Sequence, residues 1–112
     1  MSRDAIGTFE EVVMLTVAIL YSEAYGISIK QEMEKRLGRS ISVGALRISL
    51  KRLEQKGYLK SHMGEVTSVR GGKRKRYYHV TPFGKKVLEN VMETRKQLWK
   101  DVPDVAFDFK FI

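Results

Sequence analysis

The side chains of this sequence best equipped for chemistry are cations, and they are gathered in one stretch. Between residues 47 and 76 stand Arg47, Lys51, Arg52, Lys56, Lys60, Arg70, Lys73, Arg74, Lys75 and Arg76, against only Glu54 and Glu65. That excess equals the whole net charge of +8, so the rest of the chain is neutral. A neutral body with one basic segment is the electrostatic footprint of a polyanion binder, against the plainer reading of a solvated surface. A guanidinium can grip guanine O6 and N7 together, so Arg47 reads as a base contact or as a phosphate contact. Ile48 beside it suits a thymine methyl or a core position. Ser42, Gly44 and Ala45 join the expected DNA-binding set; Gly44 and Ala45 are small and would let the backbone approach DNA, where amide N–H groups meet a phosphate. Lys51, Arg52, Arg70, Lys73, Arg74, Lys75 and Arg76 suit phosphates, which position a protein without reading sequence. About six such contacts predict a log–log salt slope on the order of −5.

Other chemistries find little support. There is no cysteine, which removes disulfides, thiolate catalysis and cysteine-based zinc sites. His62 and His79 make an incomplete metal set, and no nucleophile–acid group stands near them, so neither a metal, a cofactor nor an enzyme is expected. The apolar run from Val12 to Tyr21 is interrupted by Thr16 and falls short of the roughly 20 residues a bilayer span needs. No positively charged start or small-residue cleavage site precedes it. The expectation is a cytoplasmic protein with no membrane partner.

The cations must be positioned by regular elements. A first helix is predicted from about residue 8 to 22, with Thr8 as N-cap and Glu11 completing a capping box. Its middle is apolar nearly all round, which predicts burial on two sides, one against the domain and one against another subunit. A second helix spans 26–37, with Ile29, Met33 and Leu37 on one face and Gly38 as its left-handed stop. Ser42 caps a third helix from about 43 to 56. Val43, Leu46, Leu50 and Leu53 share its core face, while Gly44, Arg47, Ile48, Lys51 and Arg52 point away. Two short helices joined by a tight connector, the second with a basic face, form a helix-turn-helix. Residues 58–69 read as extended, Gly71-Gly72 as a turn and 76–80 as a strand, which together make a hairpin. Thr81-Pro82 opens a last helix to about residue 100. Its stripe is Val87, Leu88, Val91, Met92, Leu98 and Trp99, broken by Arg95. In the tail, Phe107, Phe109 and Phe111 alternate with Asp108 and Lys110. That is strand periodicity, and it reads either as a frayed end or as an extended arm.

The fold class is therefore mainly α with a small antiparallel β-hairpin: a winged helix-turn-helix over 1–82, a C-terminal dimerisation helix over 83–101 and a Phe-rich tail over 102–112. The segments Gly7-Thr8-Phe9-Glu10-Glu11, Glu23-Ala24-Tyr25-Gly26, Ser42-Val43-Gly44-Ala45-Leu46 and Leu50-Lys51-Arg52-Leu53-Glu54 resemble the PadR family of regulators. Arg70-Gly71-Gly72-Lys73-Arg74-Lys75-Arg76-Tyr77-Tyr78, followed by Thr81 and Gly84, extends the resemblance, which covers residues 7 to about 99. It implies repression of a nearby promoter, often relieved by a small aromatic or drug-like effector. Arg47 departs from the aromatic residue, most often Tyr, that the family carries there, so an operator sequence does not transfer. The larger second domain of longer members is also missing, which leaves the dimer interface to take any effector.

A stripe on the last helix with no later helix to cover it predicts a two-fold homodimer. Its interface is expected to use Val13, Val17, Leu20, Val87, Leu88, Val91, Met92, Leu98 and Trp99, with double-stranded DNA read at half-sites about one turn apart. Trp99 reads as the wall of an effector cavity or as an apolar anchor of the helix end. The rival readings are a non-specific DNA- or RNA-binding winged helix and a protein-interaction module with an acidic partner.

Overall fold

A computed structural model of the protein describes residues 6–65 and 74–108. Helix α1 spans Thr8–Leu20. Its N-cap is Gly7 rather than the expected Thr8, and the Gly7 N–H donates to Glu10 Oε1 at 3.2 Å. Glu11 is not free to cap because it faces Arg95 on the last helix. The helix also ends earlier than expected, and a 3₁₀ turn over Tyr21–Glu23 redirects the chain.

Helix α2, Gly26–Leu37, keeps its expected bounds. The Ser28 hydroxyl accepts from the Tyr25 N–H at 3.0 Å. Gly38 stops the helix at φ +67°, a left-handed conformation that costs glycine little. Glu34 Oε2 then accepts from Lys30 Nζ and from the Ile41 N–H, both at 2.9 Å, which ties α2 to the connector. The Ile41 amide first, and Lys30 second, hold the Glu34 carboxyl below its ordinary value. Helix α3, Val43–Gln55, starts as expected at Ser42, whose Oγ accepts from the Ala45 N–H at 3.2 Å.

Strands β1, Leu59–Met63, and β2, Arg76–Val80, pair antiparallel with Leu59 opposite Val80 and Met63 opposite Arg76. Residues 66–69 of the predicted first strand and the Gly71-Gly72 turn lie outside the described residues. Helix α4, Pro82–Asp101, begins at Thr81. The Thr81 hydroxyl accepts from the Gly84 N–H at 3.0 Å and lies 2.6 Å from the Gly57 carbonyl oxygen, to which it donates.

The core gathers Val13, Met14 and Val17 of α1, Ile29 and Met33 of α2, Leu46, Leu50 and Leu53 of α3, Tyr58, Leu59, and Val87 and Leu88 of α4. Helix α1 is thus the central post, packed by α2, α3 and the hairpin. This corrects part of the expected dimer face. Val13, Val17, Val87 and Leu88 are buried within their own chain, so they present no surface to a partner. Periodicity identified their stripe but could not say which neighbour covers it. Leu20 and Val91 are half-buried at the border, while Met92, Leu98 and Trp99 are exposed. On α1 the large outward apolar residues are Leu15 and Ile19.

Beyond Arg95, α4 leaves the body, and the molecule measures 64 × 29 × 21 Å. Arg95 interrupts the stripe for a reason of its own. Its Nη2 and Nε meet the Glu11 carboxylate at 2.7 and 3.2 Å, with Glu11 only 6% exposed. The described part of the tail ends at Asp108. Residues Asp104–Phe107 form a 3₁₀ turn that sets Phe107 against Trp99, with ring centroids 5.9 Å apart. Phe109 and Phe111 lie outside the described residues.

Candidate nucleic-acid interface

The buried edge of α3 fixes its outward face. Leu46, Ser49, Leu50 and Leu53 are packed inward, which leaves Gly44, Ala45, Arg47, Ile48, Lys51 and Arg52 exposed. Ile48 is 59% exposed, which removes its core reading and leaves an apolar tip on a polar face. Val43 was grouped with the core face but is 55% exposed, because the first helical turn overhangs the edge of the domain. Ser42 is exposed at the helix start, its hydroxyl engaged as the cap.

The cations divide into those already engaged and those left for a ligand. Arg52 Nη1 lies 3.9 Å from Glu10 Oε2, and Lys56 Nζ lies 3.8 Å from Glu10 Oε1. Glu10 is nearly buried and Oε2 has no hydrogen-bond partner, so these two cations supply its compensation. Arg52 is therefore a weaker phosphate candidate than its place in the sequence suggests. On the wing, Arg76 Nη1 donates to Ser61 Oγ at 3.0 Å, and Ser61 donates to Glu54 Oε2 at 2.6 Å. This chain fastens β2 and β1 to α3. Arg74 Nε donates to the Gly64 carbonyl at 2.8 Å and helps to close the strand ends. Lys75 Nζ sits 4.2 Å from the Tyr25 ring centre, a cation–π contact that holds the ammonium near the start of α2. Arg70 and Lys73 lie outside the described residues.

Sequence reasoning missed a concavity at this surface. A cleft of about 400 Å³ opens where the start of α2, the start of α3 and the base of the wing converge. Arg47, Lys75 and Arg76 rim it, together with Tyr25 and Tyr78. Burial, then Glu54, raises the Tyr78 phenol above its ordinary value, with Arg76 and Arg47 pulling the other way. The phenol is therefore protonated and a potential donor at neutral pH. Its lining residues were singled out in the sequence separately, on the Glu23-Ala24-Tyr25-Gly26 segment, α3 and the wing, and no spacing rule could bring them together.

On the opposite hairpin face, His62 stacks on Tyr77 at 5.8 Å and lies 6.2 Å from His79, ring centre to ring centre. Among the described residues no three His, Cys, Asp or Glu side chains are grouped to hold a metal ion. No helix among them is long and apolar enough to cross a membrane.

This arrangement of helices and wing is shared with known regulators. A PadR-like transcription factor from Bacteroides fragilis is 26% identical, with 84% of this chain and 85% of that one covered at a TM-score of 0.71. A PadR family regulator from Eggerthella lenta is 26% identical over 90% of this chain and 83% of its own, also at 0.71. A transcriptional regulator from Clostridium thermocellum is 29% identical over 92% of this chain and 99% of its own, at 0.64. No match was found among curated proteins. Residues 14–90, which include the helix-turn-helix, the hairpin and the root of α4, match the family described as transcriptional regulator PadR-like. With that match over most of its length, the chain belongs to the PadR-like family and is a DNA-binding regulator of transcription.

Proposed function

We propose that the chain is a homodimeric, cytoplasmic repressor that reads a two-fold DNA site with α3 in the major groove. The observation that carries this reading is the outward face of α3. Gly44 and Ala45 lie at its start, with Arg47, Ile48 and Lys51 exposed along it and the basic wing base alongside. Arg47 is the residue proposed to read a base edge, and Ile48 the one proposed to touch a thymine methyl. Lys51, Arg74, Lys75 and Arg76 supply phosphate contacts, with Arg52 contributing less because Glu10 competes for it. Arg70 and Lys73 are proposed to join them on chemistry alone.

Dimerisation is proposed through the exposed apolar side chains of the far half of α4 and the outer side of α1. Leu98 and Trp99 are 65% and 72% exposed, and Ile19 is 51% exposed. Apolar groups of this size favour removal from water. The proposed interface is therefore Leu15 and Ile19 with Leu20, Val91, Met92, Leu98 and Trp99. A flat aromatic effector is proposed to stack on Trp99 between subunits, beside Phe107.

Selection of binders from a random duplex-DNA library at physiological salt tests the reading. An enriched two-fold motif with half-sites about ten base pairs apart is the expected result. Tight binding with no enriched motif would replace it with a non-specific, architectural role.

A further inference from the structure

We infer that the ion pair between Glu11 and Arg95 sets how far apart the two α3 helices of a dimer stand, which makes both side chains positioning residues for the spacing of DNA half-sites. This role rests on the reading above, in which α4 joins two chains and α3 reads DNA. The part of α4 that packs within its own chain is short. Gly84, Val87 and Leu88 are its buried residues, Val91 is half-buried, and every residue from Met92 to Asp101 is exposed. Hydrophobic packing therefore fixes the root of the helix and leaves the direction of its far half to other forces. Leu98 and Trp99, the large apolar groups offered to a partner, stand on that far half.

Arg95 supplies the missing restraint. It falls four residues after Val91 and seven after Leu88, on the same side of α4, and so turns towards α1. Its Nη2 donates to Glu11 Oε2 at 2.7 Å and its Nε to Glu11 Oε1 at 3.2 Å. Two parallel bonds to one carboxylate fix direction as well as distance. The anchor is firm, since Glu11 is 6% exposed in the first turn of a helix whose Val13, Met14 and Val17 lie in the core. The Arg95 side chain is 57% exposed, so water screens the pair and its net contribution to stability is small. What the pair holds is an angle. Trp99 lies eleven residues beyond Leu88, about 16 Å along the axis at about 1.5 Å per residue. A pivot of about 10° at Leu88 would carry Trp99 through about 3 Å. That is close to the ~3.4 Å rise of one base pair. Neighbouring spacings also differ by roughly 35° of twist, so a loosened arm relaxes the spacing preference without erasing it.

The test compares four whole chains: the parent, Arg95→Met, Arg95→Lys, and Arg95→Met combined with Glu11→Gln. Arg95→Met alone strands a nearly buried carboxylate, whereas the combined variant removes both charges, which should restore stability and leave the helix unpinned. In the first arm Lys35→Cys and Lys100→Cys are added to each chain, which has no cysteine of its own, and carry spin labels diluted with unlabelled chain. The distance between α2 and α4 should be narrowly distributed in the parent, broader in both Met variants and intermediate in Arg95→Lys. Equal widths would overturn the pinning, whatever the protein does with DNA. In the second arm, duplexes carry the two half-sites from the selected library at the preferred spacing, one base pair closer and one base pair farther. The parent should favour one spacing. The combined variant, checked as folded and dimeric, should lose that preference several-fold while binding a single half-site as before, and Arg95→Lys should again lie between. A preference kept in full, or an equal loss on every duplex, would overturn the spacing role. A parent that sediments as a monomer, or that enriches no two-fold motif, would overturn the dimer reading and the spacing role with it.

Discussion

Replacing Gly84 by Ala should destabilise the protein even though alanine is the better helix former. The first turn of α4 passes against the backbone of Tyr58. A Cβ at position 84 would stand 2.2 Å from the Tyr58 carbonyl oxygen, 3.0 Å from its carbon and 3.1 Å from its Cα. Relief needs a movement on the order of 1 Å, since heavy atoms pack best near 3.5–4 Å. Neither side can yield cheaply. Tyr58 is 2% exposed, and its carbonyl oxygen already accepts from the Thr81 N–H at 3.1 Å. Overpacking of this kind costs about 1–3 kcal/mol, and disturbing the Thr81 cap adds about 0.5–2 kcal/mol. Alanine returns up to about 1 kcal/mol through helix propensity. The net is about 0.5–4 kcal/mol of lost stability, and for a domain near this size each kcal/mol lowers Tm by roughly 4–8 °C.

Urea denaturation of both proteins at one fixed concentration is the assay, because the proposed dimerisation would make apparent stability depend on concentration. Gly44→Ala is the internal control. Its added Cβ meets only Ser42 Oγ at 3.7 Å, so stability should stay level or rise by a few tenths of a kcal/mol. If Gly84→Ala were as stable as the parent, the close approach of α4 to Tyr58 would not exist as described.

Four further outcomes are expected. Arg47→Ala should lose roughly 1–3 kcal/mol of discrimination at one base-pair position, whereas Lys75→Ala should weaken all duplexes alike, as read by competition with matched and mismatched sites. Binding should fall steeply with salt, with a log–log slope on the order of −5, and a slope near zero would refute phosphate contacts. Because the Glu34 carboxyl is held below 4.5 in the fold, its contribution to stability is complete above that pH and is lost as pH falls through the folded value. Glu34→Gln should therefore flatten the acid limb of the urea midpoint, and an unchanged limb would show that the Ile41 and Lys30 contacts contribute nothing. Trp99 fluorescence should be quenched by flat aromatic compounds if the subunit interface takes an effector, and Trp99→Ala should shift the dimer towards monomer in sedimentation.

Much of the architecture was legible in the order of residues. The bounds of α2, the Ser42 cap, the Thr81-Pro82 start and the β2 strand were each set by local rules. Capping, left-handed glycine and β-branched or aromatic runs act within a few residues of themselves. The split of cations from the rest of the chain was equally plain, because charge is additive along a sequence. The basic face of α3 followed from helical period alone, since Leu46, Leu50 and Leu53 must turn inward together.

What required the fold was every question of which partner a side chain meets. Apolar residues at helical spacing on α1 and α4 were read as a dimer face, yet Val13, Val17, Val87 and Leu88 close the chain's own core. A stripe states that a surface must be buried and says nothing about what covers it. Glu11 looked like a capping residue, but a contact of long sequence separation directs it to Arg95, while Glu10 takes the capping place and also meets Arg52 and Lys56. The strand period of the tail rests on Phe107, Phe109 and Phe111, of which only Phe107 lies within the described residues, at the end of a 3₁₀ turn against Trp99. The cleft beside α3 belongs to no segment, being the space left between three elements. Local interactions thus determined the elements and the sign of their surfaces. Long-range packing alone decided which cations are spent inside the molecule and which remain for DNA.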